Sequence, residues 1–186
     1  MKISVVGSGL AGTLMALALA REGYTVELYE RRADPRLVTQ PAGRSINLAL
    51  SARGLYALRE VGVEARVLEQ ALPMRGRMMH DARGQLTYQA YGLHAHEYNH
   101  SISRVWLNQV LMDAAEEAGV QIRFGHRCTG YDFETRQACF VDESSGHALT
   151  ISGQPVIGAD GVGSALRRSL IQRLRVDYAQ HYLAHG

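Results

Sequence analysis

Apolar positions in the first thirty residues fall into two short β-branched runs flanking an Ala/Leu-rich stretch. Lys2 to Val6 reads as a buried parallel strand. Thr13 to Arg21 reads as a helix, with Gly23 placed to end it. Thr25 to Tyr29 alternates and predicts a second strand. Arg31 to Arg44 is polar, is broken by Pro35, Pro41 and Gly43, and predicts a loop. Ser51 to Val61 and Glu64 to Ala71 carry helical patterns, interrupted at Gly62.

Between Pro73 and Asn99 the pattern is irregular. A turn at Ala82-Arg83-Gly84 followed by Leu86 to Tyr91 predicts a hairpin. Ser103 is placed to cap an amphipathic helix through Ala118, with Leu107, Leu111, Ala114 and Ala118 on one face. Gly119 closes that helix, and Val120 to Phe124 predicts a strand. Gly130 to Glu134, Gln137 to Asp142 and Ala148 to Ser152 alternate and are separated by turn residues, the pattern of an antiparallel meander. Pro155 to Ala159 returns to a buried strand, and Ser164 is placed to cap a last helix through Ile171. Tyr182 to Gly186 reads as the start of another strand.

Composition narrows the class without naming a function. The 186 residues are 46% hydrophobic and 20% charged, ordinary for a globular chain able to bury a core. Net charge is +2, and no basic block exceeds Arg31-Arg32, so nothing points to nucleic acid or a membrane surface. Cys128 and Cys139 have no CxxC spacing, which fits free thiols in a cytoplasmic setting. Ile3 to Ala20 superficially resembles a secretory signal, but Gly7, Gly9 and Gly12 interrupt what would be its apolar helix. No other stretch approaches a membrane span. His94, His96 and His100 lie close together but lack the matched cysteine or carboxylate partners of a metal site.

The chemistry begins at Gly7-Ser8-Gly9-Leu10-Ala11-Gly12, a GxGxxG run between a strand and a helix. Gly7 permits the tight turn, Gly9 lets the backbone approach a pyrophosphate, and Gly12 lets helix and strand pack closely. The free N–H groups of the helix then face the diphosphate. Glu30 follows the second strand, where a carboxylate can accept from ribose hydroxyls and would repel a 2′-phosphate. FAD and NAD both satisfy these features.

A second glycine-rich turn, Gly158-Ala159-Asp160-Gly161-Val162-Gly163-Ser164-Ala165-Leu166-Arg167, again joins an apolar strand to a helix. Asp160 is placed to accept from hydroxyls or to order water near phosphate, and Arg167 is free to donate. A plain NAD dehydrogenase leaves this second turn unexplained.

This run resembles the DG fingerprint of the class A flavoprotein aromatic hydroxylases, where the turn lies near the pyrophosphates of FAD and of incoming NADPH. Within that group, Gly43 to Ser51 followed by Arg53-Gly54, Pro73 to His80, and Ser103 to Asn108 resemble the kynurenine 3-monooxygenases. So do Asp177-Tyr178 with Gln180 and Tyr182 to Gly186. The resemblance implies an α/β, Rossmann-like FAD-binding domain: a doubly wound sheet plus an antiparallel β-meander, with the start of a truncated substrate domain. It implies residues 1–176 as the FAD-binding domain, with a substrate-contacting excursion at about 73–100, and 177–186 as the first substrate-domain strand. It implies that Arg77 and Tyr91 bind the amino-acid carboxylate of kynurenine. Arg104, Ala49, Cys128 (through its backbone) and Tyr29-Glu30-Arg31-Arg32 would contact FAD.

The implied reaction reduces FAD with NADPH and places one oxygen atom of O2 on the kynurenine ring ortho to the amine. Kynurenine 3-monooxygenases are much longer than this chain, so the resemblance implies that their later flavin-ring motif, the rest of the kynurenine pocket and any membrane anchor fall outside these 186 residues. The expectation is therefore that the parent protein hydroxylates kynurenine while this chain alone is inactive. Two other readings stay open: a class A hydroxylase of another aromatic acid, and a non-catalytic nucleotide-binding or interaction fragment.

Overall fold

The computed structural model describes residues 1–37, 47–179 and 181. Its centre is a four-stranded parallel sheet ordered β12-β1-β2-β8, with β1 Lys2–Val6, β2 Thr25–Tyr29, β8 Gln121–Arg123 and β12 Val156–Gly158. The β-branched strands are buried on both faces, as a parallel layer requires. Alternation divides their side chains. Val5, Val26 and Leu28 join one core cluster, whereas Val6 and Tyr29 join the other.

On the first face lie α1 (Leu10–Arg21) and α4 (Arg104–Glu117), packed on each other. Helix α1 buries Gly12, Thr13, Ala16 and Leu17, one stripe at helical spacing. Helix α4 contributes Leu107, Val110, Leu111, Ala114 and Ala115 to the same core. The Oγ of Ser103 accepts from the Trp106 N–H and caps it as the sequence suggested.

On the other face lies the meander β9–β10–β11 (His126–Asp132, Gln137–Asp142, Ala148–Ser152), whose Ala138 and Phe140 pack on Val6 and Tyr29. Helix α5 (Ala165–Arg173) rests on β9. Close approach needs Gly130, because a Cβ there would stand 2.8 Å from the Ser169 Oγ. Beneath this layer Glu27 is buried in mid-strand, held by Lys2 at 2.9 Å, Tyr29 at 2.9 Å and Arg123 at 3.0 Å. Burial pushes its carboxyl up, but these three partners outweigh it and hold the group below its ordinary value.

Between β2 and α4 the chain forms two further small sheets. Strands β3 (Asn47–Leu50), β7 (Asn99–Ser103) and β4 (Leu72–Met74) pair antiparallel in the order β3-β7-β4. None of the three was expected as a strand. Strand β7 reads Asn-His-Ser-Ile-Ser with only Ile102 buried, and β4 carries Pro73, tolerated because β4 is an edge. Helices α2 (Ala52–Glu60) and α3 (Glu64–Leu68) fall where the pattern put them, α3 ending three residues early.

The expected hairpin is present as β5 (Gly76–His80) and β6 (Leu86–Ala90), a separate two-stranded sheet. The expected strand start at Tyr182 to Gly186, and residues Gly43 to Ile46, lie outside the described residues.

Gly12 and Gly9 differ in what surrounds them. A Cβ on Gly12 would collide with the Gly7 carbonyl and stand 3.1 Å from the Ala159 Cβ, whereas a Cβ on Gly9 would meet nothing within 4 Å. Gly12→Ala is therefore expected to destabilise the chain by about 3 kcal/mol or more, as severe overpacking does. Gly9→Ala should stay within about 1 kcal/mol of the parent. Urea unfolding followed by circular dichroism checks both values.

Candidate dinucleotide site

The parallel sheet changes direction at β1: the chain runs to β2 and β8 on one side and returns as β12 on the other. A crevice outside the carboxyl ends of such strands is where open α/β sheets bind ligands. The turns after β1 and β12 lie there side by side, with Val6 in register with Gly158 and the Ala159 N–H donating to the Val6 carbonyl at 2.8 Å.

Gly7 leaves β1 with φ +100°, a left-handed conformation open to glycine. Its N–H donates to the Tyr29 carbonyl at 2.8 Å, and a Cβ on it would stand 2.5 Å from the Ala159 oxygen. The GxGxxG run is thus wedged against the second turn, with Gly9 left on the open side. Gly9 also caps α1, which has no side-chain cap, unlike α4 and α5. Its first N–H groups and positive dipole end face outward, able to receive an anion.

Glu30 stands at the end of β2 and is 5% exposed. Oε2 accepts from the Ser8 N–H and the Ser8 Oγ, both at 3.0 Å, and from Arg32 at 3.3 Å. Oε1 accepts from the Arg32 N–H at 3.0 Å and its Nε at 2.8 Å. Burial pushes the carboxyl up. The Arg32 guanidinium and the two backbone N–H bonds outweigh that and hold it down at about 2. Glu30 therefore also braces the glycine turn, a role the sequence reading did not give it.

The other expected contacts are placed unequally. Arg31 and Arg104 are exposed. Arg104 opens α4 four residues before Asn108, so the two share a face. Asn108 Nδ2 donates to the Ser8 carbonyl at 3.1 Å, which puts the Arg104 face of α4 towards the glycine turn. Ala49 on β3 pairs with Ser101, close to the start of α4. The Tyr29 side chain is buried, its ring 4.6 Å from Phe140 and its hydroxyl donating to Glu27, so Tyr29 can offer the site only backbone. Burial pushes the Cys128 thiol up to about 11, leaving it without nucleophilic character.

At the second turn two of the expected contacts also bond within the turn itself. Asp160 Oδ2 accepts from the Ala165 N–H at 2.7 Å and so caps α5. Arg167 is not free, because it donates to the Gly161 carbonyl at 3.3 Å and to the Val162 carbonyl. Both side chains serve their own turn, since the loop between Gly158 and Ala165 leaves many backbone groups to satisfy. A cleft of about 650 Å³ adjoins this turn, lined by Tyr131, Phe133, Val156, Asp160, Arg167 and Leu170. None of Gly7 to Gly12 lines it.

Arg77 lies on the exposed hairpin and Tyr91 just past its second strand. Arg77 faces Gln89 across the β5–β6 pair and donates Nε to its Oε1 at 2.8 Å. Tyr91, two residues beyond Gln89, lies by alternation on the same face. The hairpin joins neither core cluster, and Tyr91 is 46% exposed. Among the described residues no three His, Cys, Asp or Glu side chains converge as a metal site would need. Nor is any helix there long and apolar enough to cross a membrane.

Sequence reading missed Ser8 and Asn108 as site residues. Asn108 did carry a signal, as a polar residue between Leu107 and Val110 on the buried stripe of α4.

Comparison with known proteins agrees with this geometry. Residues 1–181 match the family described as FAD binding domain. The kynurenine 3-monooxygenase of Myxococcus xanthus is 48% identical over 185 residues, covering 99% of this chain and 40% of the relative. That of Salinispora arenicola is 45% identical, covering 100% and 41%. The chain thus spans about 40% of the length of the curated relatives it matches. Among solved structures, the flavin-dependent monooxygenase PieE, in complex with FAD and substrate, superposes with a TM-score of 0.76 at 25% identity, covering 91% of this chain and 32% of its own. The p-nitrophenol 4-monooxygenase of Pseudomonas putida shares the fold at a TM-score of 0.74 and 18% identity, over 90% of this chain and 42% of its own. A glycine turn wedged at the sheet's switch point, in a chain matched almost end to end, places this protein in the family of FAD-binding domains, as a homologue of the kynurenine 3-monooxygenases.

Proposed function

We propose that the chain is the ADP-binding half of an FAD-dependent kynurenine 3-monooxygenase and is inactive by itself. The observation that carries this reading is the open space at Gly9, beside the uncapped start of α1. There the backbone can approach a diphosphate that Gly7 and Gly12 are too crowded to touch. Glu30 would take the ribose hydroxyls. Its oxygens already receive five donors, about as many as a carboxylate accepts, so the exposed Arg32 side chain is the partner that yields. The same carboxylate repels a 2′-phosphate, which supports FAD rather than NADPH at this turn. Ala49, Arg31, Arg104 and the Cys128 backbone would complete the contacts, with Asp160 and Arg167 holding the second turn in place behind them.

Bound FAD would supply the redox chemistry, passing electrons from NADPH to O2 so that one oxygen atom reaches the kynurenine ring. The protein's own part is positioning. The Arg77 Nε is held by Gln89, which leaves the outer edge of its guanidinium to clasp a carboxylate, with the Tyr91 hydroxyl as a second donor. Inactivity of the chain alone is supported by the hairpin's exposure on both faces, which leaves the substrate residues open to water. Residues 1–176 would form the cofactor domain and 177–186 lead into the substrate domain. The free thiols Cys128 and Cys139 favour a cytoplasmic setting. Hydroxylation of a different aromatic acid is the second reading, favoured by the range of hydroxylases sharing the fold.

The absorbance spectrum of the purified chain after incubation with FAD and desalting tests the cofactor assignment. Retained flavin is expected, with affinity at least tenfold weaker in Gly9→Ala at unchanged stability. A colourless wild-type chain overturns it.

For turnover, the chain with FAD, NADPH and kynurenine should yield no 3-hydroxykynurenine, and detection of that product would refute inactivity. Joined to the remaining portion of the Myxococcus xanthus relative, it should regain turnover, with Arg77→Ala raising KM for kynurenine about tenfold or more. Unchanged KM would point to another substrate.

Glu30 gives a pH signature. Its folded carboxyl lies at about 2, below its ordinary 4.5, so its stabilisation is full above 4.5 and fades as pH falls towards 2. The span corresponds to about 3 kcal/mol at most. Glu30→Gln should flatten acid unfolding across that window, and an unaltered profile would remove Glu30 as its source.

A further inference from the structure

Ser8, the residue between the first two glycines, is fully buried, and its three polar groups are all engaged from outside the turn. Its N–H and Oγ donate to Glu30, and its carbonyl accepts from Asn108 Nδ2 at 3.1 Å. The carbonyl of Ser8 and the N–H of Gly9 belong to one planar trans peptide, in which the two bonds point in opposite directions. Whatever holds the oxygen therefore aims the N–H. Asn108 pulls the oxygen towards α4, and the Gly9 N–H therefore turns away from α4.

Asn108 is costly to keep. Its Oδ1 is buried and has no donor among the described residues, a condition that disfavours the folded state unless the other end of the amide is needed. Leucine would remove that orphaned oxygen, but it would leave the buried Ser8 carbonyl without its donor.

We propose that Asn108 is a positioning residue for the cofactor diphosphate, acting through the Ser8–Gly9 peptide. This rests on the FAD reading above. Asn108 touches no cofactor atom in this account. It sets the direction of a backbone donor that does.

The test uses the whole 186-residue chain and three forms: wild type, Asn108→Leu and Asn108→Asp. Affinity for FAD and for ADP is read by calorimetry, and thermal midpoints are recorded alongside. Asn108→Leu should remain folded, with its midpoint lowered by the orphaned Ser8 carbonyl, and should bind both about tenfold or more weakly. Asn108→Asp should bind weakly at pH 8, where its carboxylate faces the Ser8 carbonyl. It should recover as the pH falls and the protonated carboxyl again donates, while wild type changes little over the same range. A side chain that merely supports α4 would give no such recovery.

A second measurement needs no cofactor. The order parameter of the Gly9 N–H should fall from about 0.85 in wild type to below about 0.6 in Asn108→Leu, with the meander amides unaffected. If wild type binds neither FAD nor ADP, the cofactor reading fails, and the Gly9 order parameter still decides whether Asn108 aims the peptide. Wild-type affinity in Asn108→Leu, or an unchanged Gly9 amide, overturns the proposal.

Discussion

The carboxyl end of the sheet depends on how closely two backbone turns can approach. Gly7 sits against the Ala159 carbonyl and Gly12 sits against Gly7, with no room at either place for a single methyl group. This contact pins the start of α1 to the end of β1 and, through Ala159, to β12. The Gly9 opening, the placement of Glu30 beside Ser8 and the seat of α5 all follow from it. Packing between backbones has no rotamers to relax, so it transmits position with little loss.

Charge is arranged around that contact in two separate places. Glu30 lies at the ligand end of β2, and Glu27 lies three residues earlier, under the meander. Both are buried carboxylates held below their ordinary value, Glu27 chiefly by Lys2 and Tyr29 and Glu30 chiefly by Arg32, yet their surroundings assign different work. Glu27 shares its oxygens with Lys2, Tyr29 and Arg123 and ties β1, β2 and β8 of the sheet together. Glu30 is tied to Ser8 and to an arginine whose side chain is 65% exposed and can leave. Only the second can exchange a partner for a ligand at low cost.

Most of the architecture could be read from the chain because its elements obey simple periods. The buried runs at Lys2 to Val6 and Thr25 to Tyr29, the capped helix after Ser103 and the alternating meander each express one face against one core. Strands β3, β4 and β7 escaped notice because they are short and only partly buried, so hydrophobic alternation does not mark them. At the site, the glycine spacing announced the turn. It could not announce that Asp160 and Arg167 would also bond within their own loop, or that Tyr29 would point into the meander. Those outcomes depend on which backbone groups lack partners once the chain is folded, and sequence spacing carries no record of that.

The pairing of Val6 with Gly158 also has a consequence in time. Roughly 150 residues separate these neighbours, and at ribosomal rates of about 5–20 residues per second the second arrives some ten to thirty seconds after the first. The opening glycine turn must wait through that interval without the wall it is shaped to fit. Long-range closure of this kind slows folding and lengthens the exposure of apolar strands. The first motif to leave the ribosome is thus among the last to acquire its binding geometry.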